Sequence, residues 1–196
     1  MPNCFPEIET AVRVEWERLQ RADAAGASAF YFRHILPTVV VHHQQNKPPA
    51  APCELLVSLM GFSPETTVLA TTLVQPRQLV IIASKRAERY CEQCIAFLTE
   101  HALIASEMIS VRMVDPTNHD ALFTTLCDAL AGANGRRLVD LTGGKKIMSA
   151  VAGYAAWRLG VPVCYLESRA YNEQMRRPEP GSEEIFVLEP PVRDRP

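Results

Sequence analysis

A glycine pair and a lysine pair stand side by side in the segment LVDLTGGKKIMSA, residues 138–150. Gly143 and Gly144 lack a Cβ atom, so the backbone can turn sharply there and approach a ligand closely. The helix predicted to follow has N–H groups in its first turn that lack partners within the helix and carry partial positive charge. Lys145 and Lys146 add two full charges at the same place. The segment therefore predicts a turn that binds phosphate.

Two common nucleotide-binding motifs do not fit this turn. GGKK lacks the GxxxxGK[ST] spacing of a P-loop, and no GxGxxG follows the first predicted strand. A strand-to-helix turn without a ligand is the alternative, although one glycine normally suffices for that. Two lysines at the start of a helix oppose its dipole unless an anion is bound, so we favour a binding function. Asp140, in the preceding strand, could be a general acid or could orient the turn by accepting backbone hydrogen bonds.

The size and charge of the chain narrow the classes of function. At 196 residues it forms one domain, or one domain with an appendage. A formal net charge of −2 excludes a general coat for nucleic acid, which needs a basic excess, so any anion site must be local. We find no secretory signal and no apolar run near the roughly 20 residues of a membrane span. We therefore expect a cytoplasmic protein without membrane contact.

Cysteine and histidine spacing gives no sign of a metal site. Only Cys91 and Cys94 have a CxxC spacing, and no second CxxC or spaced histidine pair completes a zinc site. The two cysteines lie in the middle of a predicted helix, where we interpret them as small buried apolar side chains. We also find no catalytic triad. We expect no cofactor and no metal.

Strands and helices alternate from residue 54 onward. Near-continuous apolar runs ending in small or polar residues are typical of buried parallel strands, and helical patterns separate them. Strands are predicted at 54–61, 78–84, 108–115, 136–142, 161–168 and 184–190, and helices at 64–74, 85–103, 118–132 and 144–160. This order predicts an α/β fold: a Rossmann-like open, mostly parallel sheet with helices on both faces.

The first 50 residues have a different pattern. An amphipathic helix is predicted over 7–22, and an apolar segment over 30–41 is interrupted by Pro37. The segment QQNKPPAAP (44–52) has the composition of a linker. We therefore predict an N-terminal helical extension and linker over 1–50 and a Rossmann-like domain over 51–196. The extension could cap the sheet, support a dimer or contact a partner.

Four polar or basic loops follow the predicted strands, at 61–65, 84–86, 115–118 and 142–146. In open α/β sheets, ligands bind beyond the carboxyl ends of the strands, so these loops predict one anion site. Structural explanations exist for some of the residues. Ser63 before Pro64 is a good helix N-cap, and Lys85 and Arg86 could simply be solvated.

The same residues resemble a known family. A first strand entering a turn with Ser63, a strand ending in Ser84-Lys85, and the pattern D-L-T-G-G-K-K-x-M-S from Asp140 to Ser149 look like the CARF domain, a CRISPR-associated Rossmann-fold sensor of type III systems. The resemblance covers about residues 54–190 and matches Asp140, Thr142, Gly143, Gly144, Lys146, Met148 and Ser149. It departs at Lys145, where threonine is commonest, and in the N-terminal extension.

The resemblance implies a homodimer that binds a cyclic oligoadenylate, either tetra- or hexa-adenylate, across a two-fold axis. It also implies a choice between two functions. The protein could be a metal-independent ring nuclease, in which Lys146 or Lys145 stabilises the transition state and Ser63 positions the ribose. Alternatively, it could be the non-catalytic sensory domain of an effector whose nuclease, protease or regulator module lies beyond Pro196 or in a partner. A nucleotide-binding α/β protein unrelated to CRISPR is a more distant alternative.

The residues predicted to bind the ligand come from the loops and from the resemblance, which implies that 61–66 line one wall of the site and 142–146 the other. They are Gly61, Phe62, Ser63, Pro64, Glu65, Thr66, Ser84, Lys85, Arg86, Thr142, Gly143, Gly144, Lys145, Lys146 and Ser149.

Overall fold

The computed structural model describes residues 5–46, 51–173 and 177–190. These residues divide into two compact units. One unit comprises the described residues of 1–48 together with those of 167–184, and the other comprises those of 49–166 together with those of 185–196. The segment 167–184 thus belongs with the N-terminal helices.

Six strands form one sheet in the order β3-β2-β1-β4-β5-β8. Their bounds are β1 Cys53–Met60, β2 Pro76–Ser84, β3 Ile109–Val114, β4 Arg137–Asp140, β5 Val163–Ser168 and β8 Glu183–Leu188. The pairs β1–β2, β2–β3, β1–β4 and β4–β5 are parallel. All residues of β1 except one are buried, as expected for a central strand covered on both faces. The predicted α/β fold with a mostly parallel sheet is confirmed.

The helices of the sheet unit follow the strands in strict alternation. They are α4 Pro64–Val74, α5 Glu88–Glu100, α6 His119–Ala131 and α7 Lys146–Leu159, and a 3₁₀ turn over Lys85–Ala87 precedes α5. Every predicted helix of this unit is present, with ends that shift by up to three residues. Because β1 pairs with both β2 and β4, the chain changes direction across the sheet between β1 and β4, which is where such folds bind ligands.

The N-terminal unit is helical for longer than the sequence predicts. It contains α1 Thr10–Ala22, α2 Ala24–Phe30, a π-helical turn Tyr31–Ile35 and α3 Leu36–Asn46, and a small hairpin of β6 Tyr171–Asn172 and β7 Arg177–Pro178. The prediction that Pro37 interrupts the apolar segment is wrong, because Pro37 lies in the first turn of α3.

A local change in hydrogen bonding explains how Pro37 is accommodated. The N–H of Leu36 donates to the carbonyl of Tyr31, five residues earlier, as in a π turn. The missing N–H of Pro37 thus falls where the helix begins a new hydrogen-bonding register. The predicted linker also starts too early, since residues 44–46 end α3; residues 47–50 lie outside the described part.

Two side-chain pairs hold the segment 167–184 within its unit. His43 Nε2 lies 3.1 Å from Glu183 Oε2, and both side chains are buried. Arg13 also pairs with Glu179. No helix in the described part of the chain is both long enough and apolar enough to span a bilayer.

Candidate functional site

The loops after β1 and β4 touch each other at the carboxyl edge of the sheet. A Cβ atom placed on Gly61 would lie 3.3 Å from the backbone nitrogen of Gly144. Both loops lead directly into a helix, α4 and α7 respectively. Two of the predicted ligand-binding loops are therefore neighbours in space.

Both glycines of the pair have a structural cause. A Cβ atom on Gly143 would lie 2.1 Å from the carbonyl oxygen of Leu59, far inside contact distance, so only glycine fits beside β1. Gly144 has φ +77, a left-handed conformation that glycine adopts without strain. The sequence argument that a second glycine implies a ligand does not hold. The case for a ligand rests on the charges and on the shape of the edge.

Asp140 orients the turn formed by residues 142–146, which we call the TGGKK turn. Its Oδ1 accepts hydrogen bonds from the Thr142 N–H at 2.9 Å and the Thr142 hydroxyl at 2.6 Å. Its Oδ2 accepts from the Ser58 hydroxyl at 2.7 Å. Burial raises the pKa of the Asp140 carboxyl, although the hydrogen bonds from Thr142 and Ser58 oppose that shift. Of the two roles considered for Asp140, this geometry supports the orienting one.

The hydroxyls of Thr142 and Ser149 also hold the turn in place. Thr142 Oγ1 accepts a hydrogen bond from the N–H of Leu166 at 2.8 Å, which connects the turn to β5. Ser149 Oγ donates to the carbonyl of Leu141 at 3.1 Å. Both residues were predicted to bind the ligand, and in this structure their hydroxyls bond to the protein. They attach the turn to the neighbouring backbone.

The N-terminus of α7 concentrates positive charge. Lys145 occupies the N-cap position and Lys146 is the first helical residue, and both side chains are exposed. The first turn of α7 contains no acidic residue, and the Lys145 side chain makes no capping hydrogen bond. The helix dipole and both lysines therefore add, and nothing in the first turn of α7 neutralises them.

A groove of about 450 Å³ opens beside Lys145, over the ends of β2 and β3. Its volume falls within the range of about 300–1,000 Å³ that is typical of small-molecule sites. The groove is lined by Ser84, Lys85, Arg86, Met113, Val114, Asp115, Pro116, Thr117 and Lys145. The structure thus places the predicted residues 84–86 and Lys145 around one groove.

Charges of both signs line this groove. Lys85 pairs with Glu88, the first residue of α5, at 2.6 Å, so part of its charge is compensated. Asp115 Oδ1 accepts hydrogen bonds from the Thr117 N–H and hydroxyl at 2.9 and 2.7 Å. These bonds lower the pKa of the Asp115 carboxyl, and the nearby charge of Lys145 lowers it further. The groove therefore offers cations on one side and an ionised carboxylate on the other.

The loop after β1 carries an exposed aromatic ring. Phe62 is 58% exposed, and its ring centroid lies 5.5 Å from that of Tyr90. The guanidinium of Arg89 lies 4.6 Å from the centroid of Tyr90. Such a group could stack with a nucleobase, since aromatic rings and guanidinium planes both do so.

The remaining predicted residues of this loop begin α4. Ser63 is the exposed N-cap, but its hydroxyl makes no capping bond; its carbonyl accepts a hydrogen bond from Thr66 Oγ1 at 2.8 Å. Pro64 is buried at the first helical position, and Glu65 is half-buried in the first turn. The structural explanation for Ser63, in which its hydroxyl caps α4, is therefore not observed.

The sequence predicts the loop that forms one wall of the groove, at 115–118, but does not name the individual residues of that wall. Met113, Val114, Asp115, Pro116 and Thr117 line it, although none was among the predicted ligand-binding residues. The loop after β3 was recognised as one of four at this edge, but its nearness to the basic loop after β2 depends on the strand order. That order places β3 next to β2.

The cysteine pair shows no sign of redox chemistry. Cys91 and Cys94 are both buried in α5, and burial raises the pKa of the Cys91 thiol to about 11 and that of Cys94 still higher. A thiol with such a pKa holds little reactive thiolate at neutral pH. Within the described residues, no group of three histidine, cysteine or acidic side chains is arranged to hold a metal ion.

No protein-family model matches the sequence, and no curated protein matches it. Among solved structures, the chain is similar to Can2 from Sulfobacillus thermosulfidooxidans in complex with cyclic tetra-adenylate. The identity is 19% and the TM-score 0.47, over 58% of this chain and 32% of the Can2 chain. It is also similar to Enterococcus italicus Csm6 bound to cyclic hexa-2'-fluoro-hexa-dAMP. There the identity is 13% and the TM-score 0.48, over 60% of this chain and 34% of the Csm6 chain.

A third similar structure is an O-methyltransferase family protein from Burkholderia thailandensis, with 9% identity and a TM-score of 0.43 over 89% of this chain and 62% of the other. The matches to Can2 and Csm6 span about a third of the length of those chains. Similarity at this level does not by itself assign a function.

Proposed function

We propose that this chain binds a cyclic oligoadenylate at the carboxyl edge of its sheet, as a CARF-type sensor. One observation carries the proposal: the exposed Lys145, at the uncapped N-terminus of α7, borders a groove of about 450 Å³ that Arg86 also lines. A phosphate satisfies the N–H groups and the lysine charge together, and the groove accepts the nucleoside attached to it. The TGGKK turn and its pattern supply the resemblance that names the ligand class.

The symmetry of the ligand supports a homodimer. A cyclic tetra- or hexa-adenylate has a two-fold axis, and a dimer of identical chains offers the same groups on both sides of such an axis. Each chain would then hold one half of the ring through its own TGGKK turn and groove.

Cleavage of the ring is the finer part of the proposal. In this reaction a ribose 2′-oxygen forms a bond to the adjacent phosphorus while the bond from phosphorus to the 5′-oxygen breaks. The attacking hydroxyl loses its proton, the 5′-oxygen gains one, and a 2′,3′-cyclic phosphate remains. Lys145 or Lys146 would stabilise the charge on the phosphorane, and Ser63 would position the ribose. Two observations support this role for Ser63. Its hydroxyl makes no capping hydrogen bond to α4, and its loop contacts Gly144.

Binding is tested by calorimetric titration with cyclic tetra- and hexa-adenylate against a matched pair of variants. Lys145→Gln should weaken binding about 10- to 100-fold, because it removes one cation that faces the phosphate. Arg77→Gln is the control. Arg77 is also exposed, but it lies at the start of β2, at the other end of the strand, and pairs with Glu54 at 3.7 Å. We expect Arg77→Gln to bind both rings with an affinity within about twofold of wild type.

The same samples, with and without EDTA, separate the two functions. Linear products in the presence of EDTA would support a metal-independent ring nuclease. Tight binding without products would overturn the nuclease proposal and favour a non-catalytic sensory domain. If wild type binds neither ring, or if both variants bind equally well, the proposed binding site is wrong.

A further inference from the structure

One side of the groove is lined by apolar side chains, which do not bind phosphate. Met113 is 41% exposed and lines the groove together with Val114 and Pro116. Exposed apolar side chains around a concave site favour a flat or apolar part of a ligand over an anion. Within a nucleotide, that part is the base and its ribose.

Asp115 stands in the same groove as a fixed hydrogen-bond acceptor. Thr117 bonds to Oδ1 through both its N–H and its hydroxyl, which sets the plane of the carboxylate. Among the described residues, no hydrogen bond to Oδ2 is observed, so this oxygen can accept a bond from a ligand. The loop is held from the other side as well, because the Asn118 side chain caps α6 by accepting from the Ala121 N–H at 3.0 Å. Asp115 is therefore held in position by its own loop, with Oδ2 left as the acceptor.

We infer that the groove is a nucleoside subsite and that Asp115 determines its specificity by accepting a hydrogen bond from a donor on the nucleoside. The inference rests on the proposed function. An ionised carboxylate repels phosphate and accepts only from N–H or O–H groups. The phosphate therefore lies toward Lys145, and the donor that meets Asp115 is the exocyclic amine of adenine or a ribose 2′-hydroxyl. A base that presents a carbonyl in place of the amine would place two acceptors face to face.

Asp115→Asn tests this, since the amide oxygen can keep both bonds to Thr117 while the amide nitrogen replaces the free acceptor with a donor. We would measure its affinity for three rings: cyclic tetra-adenylate, the same ring with unsubstituted purine bases, and the same ring with 2′-fluoro riboses. With the adenylate ring we expect Asp115→Asn to weaken binding about 10- to 100-fold. If the amine is the donor, this loss disappears with the purine ring; if the ribose is the donor, it disappears with the 2′-fluoro ring.

Asp120→Asn is the matched control, because Asp120 is exposed in the first turn of α6 and does not line the groove. It removes the same charge and should leave all three affinities close to wild type. The inference is overturned if Asp115→Asn tightens binding of every ring, which would make Asp115 a repulsive charge only. It is equally overturned if the loss is the same for all three rings. If wild type and Asp115→Asn bind the adenylate ring with the same affinity, this inference alone is wrong. If wild type binds no ring, the proposed function is wrong as well.

Discussion

Asp140 is a fully buried carboxyl group whose hydrogen-bond partners in the described part of the chain are all uncharged. Within the described residues, its three bonds come from Ser58 and Thr142. Burial disfavours the charged form, which is why the pKa of this carboxyl is raised. The residue thus costs stability when ionised, yet it fixes the turn that carries Lys145. This is the expected pattern for a residue kept to organise a site.

Two substitutions of Asp140 should separate the effect of its hydrogen bonds on stability from the effect of its charge. Asp140→Asn can accept both bonds from Thr142 and donate to Ser58, so we expect stability at neutral pH equal to or above that of wild type. Asp140→Ala leaves the N–H of the half-buried Thr142 without this partner and should cost about 1–3 kcal/mol. The measurement is urea unfolding of each variant.

The pH dependence gives a sharper version of the same test. Below the ordinary carboxyl pKa of about 4, Asp140 is neutral in both the folded and the unfolded chain. As pH rises from that ordinary value toward the raised pKa of the folded state, Asp140 ionises in the unfolded chain while it stays neutral in the folded chain. Wild type therefore loses stability across this range. Asparagine does not titrate, so the advantage of Asp140→Asn should grow across this window and then level off. An advantage that shrinks with rising pH would contradict the raised pKa.

The TGGKK turn depends on a close approach between two elements, β1 and the loop after β4. Gly143→Ala would drive a methyl group into the carbonyl oxygen of Leu59, which β1 cannot move without breaking its ladder. We expect a loss of several kcal/mol or failure to fold, together with loss of ring binding. Thermal unfolding and titration with the ring check both effects.

Gly153→Ala is the matched control for that substitution. Gly153 lies within α7, and the nearest atom to an added Cβ would be Leu141 Cδ1 at 3.8 Å, an ordinary contact. Alanine is favoured over glycine in a helix by about 1 kcal/mol, so this variant should gain stability and keep its affinity. Equal effects of the two substitutions would show that Gly143 is not constrained by β1.

The helices and strands of the sheet unit follow from the sequence because their patterns are local. Apolar runs and helical periodicity placed every strand of the sheet, and β4 differs mainly in ending at Asp140 rather than at residue 142. It ends there because Thr142 turns back to bond with Asp140. Pro37 misled the prediction, since a proline signal carries no information about the π turn before it.

The site was only partly predictable because it depends on which strands are neighbours. The turn at 142–146 and the basic loop at 84–86 could be identified from residue types alone. The loop at 115–118 is also predicted to belong to the site, but its contact with the basic loop follows from β3 lying beside β2, which the sequence pattern does not give. Asp115 is not among the individually predicted ligand-binding residues, although its loop at 115–118 is one of the four that the sequence predicts to form the site.

Across the whole molecule, positive side chains are concentrated at one place although the net charge is small. The net charge is −2, yet the carboxyl edge of the sheet gathers Lys85, Arg86, Lys145 and Lys146. A multiply charged anion is therefore attracted to this edge, and salt should weaken its binding by screening. Local charge of this kind suits a small anionic ligand better than a long nucleic acid, which needs an extended basic surface.

The stoichiometry of binding follows from the size of the groove and the symmetry of the ring. Under the proposed function, one groove of about 450 Å³ holds part of the ring, and we expect a second copy of the same surface to hold the rest. We predict half a ring bound per chain in calorimetric titration, and the mass of a dimer by light scattering once the ring is bound. Lys145→Gln should reduce affinity without changing the half-ring stoichiometry, because both halves lose the same contact. One ring bound per chain on a particle with the mass of a monomer would contradict the two-fold arrangement and leave a single groove responsible for the whole ligand.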